Sequence, residues 1–158
     1  MTIGTVNVNN LPFWYQACTI LYLTVIALYD IRHHKIKNLA LFFFLIWCLI
    51  SLPLGFSGEW NHILSRILES LLGFFLGAFL FLIVSYIPGC HMGGGDIKLA
   101  ALLGILAGPK GILTVSFTGA AYALLYLQLR CKTSQQAIPF APFFLLGTIT
   151  LFILWRYS

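Results

Sequence analysis

The chain has 158 residues, of which 60% are hydrophobic and 8% charged, where a soluble globular domain carries about 25% charged residues. A small soluble fold leaves much of its surface exposed and has nowhere to hide so much apolar area; with a mean hydropathy of +0.95, the composition excludes a soluble domain and selects the bilayer as solvent. Nine Lys and Arg against four Asp and Glu give a formal net charge of +5. The basic residues sit in short loops and the aromatics inside the apolar runs, so no nucleic-acid partner is expected, since a single-strand-binding surface interleaves the two.

Six apolar segments follow in chain order. The first runs from about Leu11 to Tyr29. It lacks a basic leader and ends at Tyr29-Asp30 instead of a small-residue cleavage site, so it reads as a membrane span and not as a removed signal. The second runs from about Leu39 to Leu54, and Gly55-Phe56-Ser57-Gly58 beyond it forms a plausible turn. The third runs from about Ile63 to Ile87. Near its start Arg66 and Glu69 are neighbours on one helix face and are expected as an interfacial ion pair. Gly73 and Gly77 permit close helix approach, here for internal packing and not for dimerisation. The fourth, Ile97 to Ala107, is too short to cross the hydrocarbon by itself, because a span needs about 20 residues. It must extend into its flanks, thin the bilayer, or sit in a water-accessible cavity. The fifth runs from about Ile112 to Leu129, and the sixth from about Ile138 to Trp155. Pro139 and Pro142 are expected to open or kink the start of this last helix. Cys18, Cys48, Cys90 and Cys131 form no C-x-x-C pair and read as small apolar residues. The fold class is therefore all-α: a polytopic integral membrane protein of about six transmembrane helices, in a single membrane-embedded domain spanning 1–158. Nothing in the pattern sets an oligomeric state.

Loop charge gives an orientation. Arg32, Lys35 and Lys37 follow the first span; His91, Asp96 and Lys98 follow the third; Arg130 and Lys132 follow the fifth. These alternate loops hold most of the basic residues and should face the cytoplasm. Arg66, Lys110 and Arg156 fall on the other side and weaken the bias without reversing it. Both termini are then outside, and the protein is expected in the inner (plasma) membrane. Arg32, Lys35 and Lys37 are placed to meet anionic lipid headgroups, so membrane lipids are expected partners.

Of the four acidic residues, Asp30 and Asp96 each sit where an apolar run meets a cytoplasmic loop. They share a depth and a membrane face. An ionisable group at membrane depth costs roughly 2.5 to 3.5 kcal/mol on insertion scales and usually marks a function or a partner. Two carboxylates within a few ångströms cannot both ionise easily. One keeps a proton while the other acts as a base on a bound water. Such a water can attack a peptide carbonyl with no metal and no covalent intermediate. A simpler reading stands beside this one: Asp30 could pair with Arg32 or Lys35, and Asp96 could cap the fourth helix. The Gly93-Gly94-Gly95 run before Asp96 permits positive φ and close backbone approach, and reads either as a substrate-accessible loop or as a hinge. It lacks the Lys-Ser/Thr ending of a phosphate-binding loop.

Gly93-Gly94-Gly95-Asp96-Ile97-Lys98-Leu99 resembles the G-x-G-D motif of membrane aspartyl proteases, and in particular of the type 4 prepilin peptidases. Asp30-Ile31-Arg32 with Ile36-Lys37-Asn38 resembles that family's D-x-R…I-P-N element, and Ile138-Pro139-Phe140-Ala141-Pro142-Phe143 its closing P-F-x-P-F element. The resemblance implies Asp30 and Asp96 as the catalytic pair of an aspartic endopeptidase without cofactor. Gly93, Gly94, Gly95, Arg32, Asn38, Lys98 and Pro139 would shape the site or bind substrate. The implied reaction removes the leader of type IV prepilin-like or pseudopilin-like preproteins at the cytoplasmic membrane face, just before the hydrophobic helix of the substrate. Lys37 stands where the family usually has proline, so the loop after Asp30 is less restrained. Larger members carry a cytoplasmic insertion with paired C-x-x-C motifs and methylate the new N-terminus. Neither feature is present here, so no N-methyltransferase activity is expected, as in the minimal members.

Lys98 lies two residues beyond Asp96 and does not share its helix face; snorkelling to lipid phosphate or orienting the loop is its expected role. His33, His34 and His91 match no metal-ligand spacing. Two further functions remain open: a proton or cation transporter using the two carboxylates as a relay, and a non-catalytic subunit of a pilus or secretion assembly. Paired polar interruptions in repeated halves would mark a transporter, and the sequence has none.

Overall fold

The computed structural model describes residues 11–33, 36–54, 60–86, 93–129 and 140–157. Five helices follow one another: α1 (Phe13–His33), α2 (Asn38–Leu54), α3 (Trp60–Ser85), α4 (Gly94–Leu129) and α5 (Ala141–Tyr157). α1 and α3 over Leu64–Ser85 are long and apolar enough to cross a membrane, α4 over Gly94–Tyr126 has that length and composition only when counted through its bend at Gly108, and α2 and α5 are shorter apolar helices. Large apolar side chains such as Phe13, Leu21, Phe75, Phe79 and Phe117 point outward, the pattern of helices solvated by lipid.

α4 holds the two apolar segments that the sequence separates, and a single residue divides them. Gly108 has φ 68° and ψ −177°, a conformation open to glycine and costly for any residue with a Cβ. Pro109 then starts the second arm, where a missing N–H leaves no bond unmade. Contacts on either side show that the chain reverses there. Residues 94–107 descend along α3, with Ala100 against Gly77 and Gly104 against Gly73; past the bend, Ile112 has returned to Gly77. The first arm is thus a half-helix of roughly 20 Å at 1.5 Å per residue. It is lengthened at its start by its glycine flank and shielded by the rest of the bundle.

The α3–α4 contact is backbone on backbone. A Cβ on Gly73 would lie 2.1 Å from the Gly104 carbonyl oxygen, and one on Gly104 would lie 2.0 Å from that of Gly73. The glycine spacing serves internal packing, as the sequence indicated. α5 runs antiparallel to the second arm of α4 with the same economy of side chain: Gly147 faces the Val115 carbonyl and Gly119 that of Phe143. Buried Leu99, Leu103, Ile112, Val115 and Leu151 form the core between these elements.

α1 and α2 meet through long side chains instead. Tyr15 stacks on Trp47 at 4.6 Å between ring centroids, and Tyr22 on Phe44 at 5.4 Å. The polar tips of these rings find partners inside the contact. The Tyr22 hydroxyl donates to the Ala40 carbonyl at 2.9 Å, and Trp47 Nε1–H to Thr19 Oγ1 at 2.9 Å, as buried Tyr and Trp require.

Arg66 and Glu69, expected as an interfacial ion pair, lie on an inward face of α3: Glu69 is buried and near enough to Arg66 to interact electrostatically, and half-buried Arg66 also donates to the Ser51 carbonyl at 3.1 Å. α3 is turned so that this polar face meets α2 while Leu64, Leu68 and Leu72 face outward. The Gly93-Gly94-Gly95 run does not use positive φ, since Gly108 is the only glycine with that backbone among the described residues; Gly94 and Gly95 already belong to α4. Pro142 does not kink α5 but sits in its first turn, where Phe143 N–H and Phe144 N–H bond to the Phe140 carbonyl. Pro139 and the Gly55–Gly58 turn lie outside the described residues.

Gly73→Ala should lower stability by about 1–3 kcal/mol, the usual range for overpacking, because the neighbouring atoms are backbone. Gly94→Ala, where an added Cβ meets nothing within 4 Å, should leave it unchanged. Thermal unfolding of both variants in detergent checks the contrast.

Candidate functional site

Several helix ends converge at one end of the bundle. α1 finishes there with Asp30 in its last two turns, and α2, α4 and α5 begin there. Three helix N-termini at one end supply free backbone N–H groups and positive dipole ends, both suited to negative charge. The two carboxylates occupy this end. Asp30 is 4% exposed and Asp96 8%, and they are near enough to interact electrostatically. The bundle thus brings together two acids separated in sequence by α2 and α3.

Their surroundings differ. Asp30 Oδ2 accepts the Ala141 backbone N–H at 3.3 Å, one of the amides that α5 leaves free in its first turn. Asp96 stands in the first turn of α4, with its own N–H bonded to the Gly93 carbonyl at 3.0 Å. It is therefore inside the helix and not its cap, which is the role the simpler sequence reading assigned to it. Asp96 Oδ2 lies beside Gly93, while Oδ1 is buried with no hydrogen-bond partner among the described residues. A buried carboxylate oxygen without a donor is costly, and here it calls for a donor that the described residues do not supply.

The remaining sequence candidates separate. Lys98 Nζ donates to Asn38 Oδ1 at 3.1 Å, tying the first turns of α2 and α4 together on the flank of the pair. Gly95 allows α4 to pass close to Ile36, whose Cβ would lie 3.0 Å from an added Cβ. Gly94 is exposed with open space around it, and Arg32 is exposed on the last turn of α1 while Asp30 is buried. Lys37 sits over the Tyr29 ring at 5.0 Å from its centroid, a cation–π contact that restrains the loop in which proline is missing. Pro139, Lys35, His34 and His91 fall outside the described residues.

Sequence reasoning missed the Ala141 amide. A backbone donor carries no side-chain signature, and the only trace is Pro142, which marks a helix start and hence unbonded amides nearby. It named Asn38 and Lys98 separately but did not pair them. If the two form one tie, Asn38→Leu and Lys98→Met should not add: the double variant should unfold at about the temperature of the less stable single variant, as a thermal double-mutant cycle reads directly.

Comparison with known proteins gives the chain a family. A model described as the type IV leader peptidase family matches residues 17–155, a range that contains Asp30, Asp96 and Ala141. The prepilin leader peptidase/N-methyltransferase of Legionella pneumophila is 39% identical over 87 residues, covering 51% of this chain and 30% of that protein. The protein of the same description from Bacillus subtilis (strain 168) is 28% identical over 135 residues, covering 83% of this chain and 52% of that one. The chain therefore spans about half or less of the length of these curated relatives. No solved structure matches it. With the match running from α1 to α5 over an all-helical apolar bundle, this chain is an integral membrane protein belonging to the type IV leader peptidase family.

Proposed function

We propose that the chain is a membrane aspartic endopeptidase that removes the leader of prepilin-like preproteins, with Asp30 and Asp96 as its catalytic pair. The observation that carries this reading is the burial of both carboxylates at one end of the bundle, near enough to interact electrostatically, with Asp96 Oδ1 left without a donor among the described residues. The names of the relatives supply the substrate class.

The chemistry follows from two carboxyl groups that share one proton. The ionised one takes a proton from a water held between them, and the water oxygen bonds to the scissile carbonyl carbon. The protonated one gives its proton to the carbonyl oxygen, so a neutral tetrahedral diol forms. Collapse of the diol breaks the C–N bond; the leaving amine takes up a proton and the dyad returns to one proton. The pair titrates as a unit, and neither member has a separate constant. The Ala141 amide holds the Asp30 carboxylate in orientation, and burial keeps bulk water from competing with the bound one.

The basic side chains at this end among the described residues, Arg32, Lys37 and Lys98, favour its facing the cytoplasm. Peptidase activity alone is assigned; N-methyl transfer is assigned to the relatives by their names and not to this chain.

The test mixes the purified protein in detergent with a prepilin-like substrate and follows the shortened product by mass spectrometry. Asp30→Asn and Asp96→Asn should each lower the rate by at least roughly 10²–10⁴-fold, the contribution of a positioned proton-transfer group. The rate of the unaltered protein should fall at both low and high pH, because the pair fails when it holds two protons and when it holds none. Full activity in either variant would sink the two-aspartate mechanism. Failure of the unaltered protein to cleave, together with pH-driven ion flux in liposomes, would favour the relay instead.

A further inference from the structure

Two apolar grooves flank the carboxylates, and their chemistry differs. One lies between α2, α3 and the first arm of α4, with a volume of about 340 Å³, and carries Lys98 and Asn38 among its walls. The other lies between α3, the second arm of α4 and α5, with a volume of about 250 Å³. Leu80, Phe81, Phe117, Ala120, Phe140 and Phe144 are among its walls. Among the described residues its sole hydroxyl, on Ser116, is already donated to the Ile112 carbonyl at 2.7 Å. No described side chain along this second groove asks for a polar partner, whereas a chain entering the first must lie beside an ammonium group.

The second groove also leads to the site. α3 and the second arm of α4 run in the same direction toward the carboxylate end, so the groove climbs from Leu113 to Phe140. Phe140 directly precedes Ala141, whose amide holds Asp30. The Phe81–Phe144 edge contact, at 4.9 Å between centroids, braces the wall nearest that turn. Phe117 is 74% exposed, so the groove opens sideways to the lipid. An extended or helical apolar segment entering from the bilayer would therefore meet the groove first and the carboxylates at its end. An engineered cavity of about 150 Å³ takes up a benzene molecule, so this groove has room for one or two large apolar side chains.

We propose that this groove seats the bulky apolar side chains of the substrate segment that adjoins the scissile bond, and that it sets the preference of the enzyme there. The proposal rests on the peptidase reading above and assigns it a subsite. Continuity with the Asp30 turn selects a substrate segment over a lipid tail as the occupant.

The experiment compares two substrates that differ only in the apolar residues adjoining the cut, leucine in one and alanine in the other. Ala120 is exposed, so Ala120→Phe can fill the groove without displacing the core. It should lower kcat/KM for the leucine substrate by about tenfold or more, the scale on which hydrophobic pockets discriminate size, and leave the alanine substrate within about twofold. A second measurement does not depend on that variant: a photoreactive phenylalanine at position 117, in the Asp30→Asn background, should crosslink to the apolar segment of the uncleaved substrate. If the unaltered enzyme cleaves but the leucine-to-alanine ratio is unchanged in Ala120→Phe and position 117 captures only lipid or detergent, the groove is a lipid seat and the proposal fails alone. If the unaltered enzyme cleaves neither substrate, the peptidase reading fails with it.

Discussion

The structure depends on one contact, the direct meeting of the α3 and α4 backbones at Gly73 and Gly104. With added Cβ atoms only 2.0 and 2.1 Å from the facing carbonyl oxygens, there is no space between these helices for a side chain. Helices in lipid gain little from apolar contact alone, because the lipid is equally apolar, and they associate through close packing. This contact holds the first arm of α4 against a full-length helix, and the arm carries Asp96. A half-helix that cannot span the bilayer by itself is stable here because α3 lines it on one side and its own returning arm on the other.

The same arrangement accounts for two buried carboxylates in an oily molecule. Leaving ionisable groups inside a membrane protein is costly unless something compensates them. The compensation is built from backbone: the Ala141 amide at Asp30 and the helix start around Asp96. Helix N-termini perform this task because their first amides have no internal partner. The polar tie between Lys98 and Asn38 lies to the side, and α2, whose first residue is Asn38, is thereby held to α4. The site is thus a junction of helix ends, with its rigidity drawn from the glycine-packed bundle below it.

The distribution of charge and apolar surface around that junction gives it two unlike flanks. On the side of α2 the wall carries a cation and an amide; on the side of α5 it is aromatic and aliphatic. A peptide with a polar leader and an apolar continuation has the same asymmetry.

Much of this molecule was legible in the sequence, and for identifiable reasons. Composition required a membrane protein, the apolar runs marked the helices to within a few residues, and the gap between the fourth and fifth runs fell where the structure has the Gly108 bend. Asp30 and Asp96 stood out because acidic side chains are rare and costly in such a chain. What the tertiary structure alone decided depends on contacts between residues distant in sequence. It turned α3 so that Glu69 is buried against the bundle, made Gly94 and Gly95 the first residues of a helix, paired Lys98 with Asn38 across 60 positions, and brought the Ala141 amide to Asp30 across 111. Side-chain identity determines which groups are available, but a backbone amide is the same at every position, and only the folded bundle selects the one that faces the carboxylate.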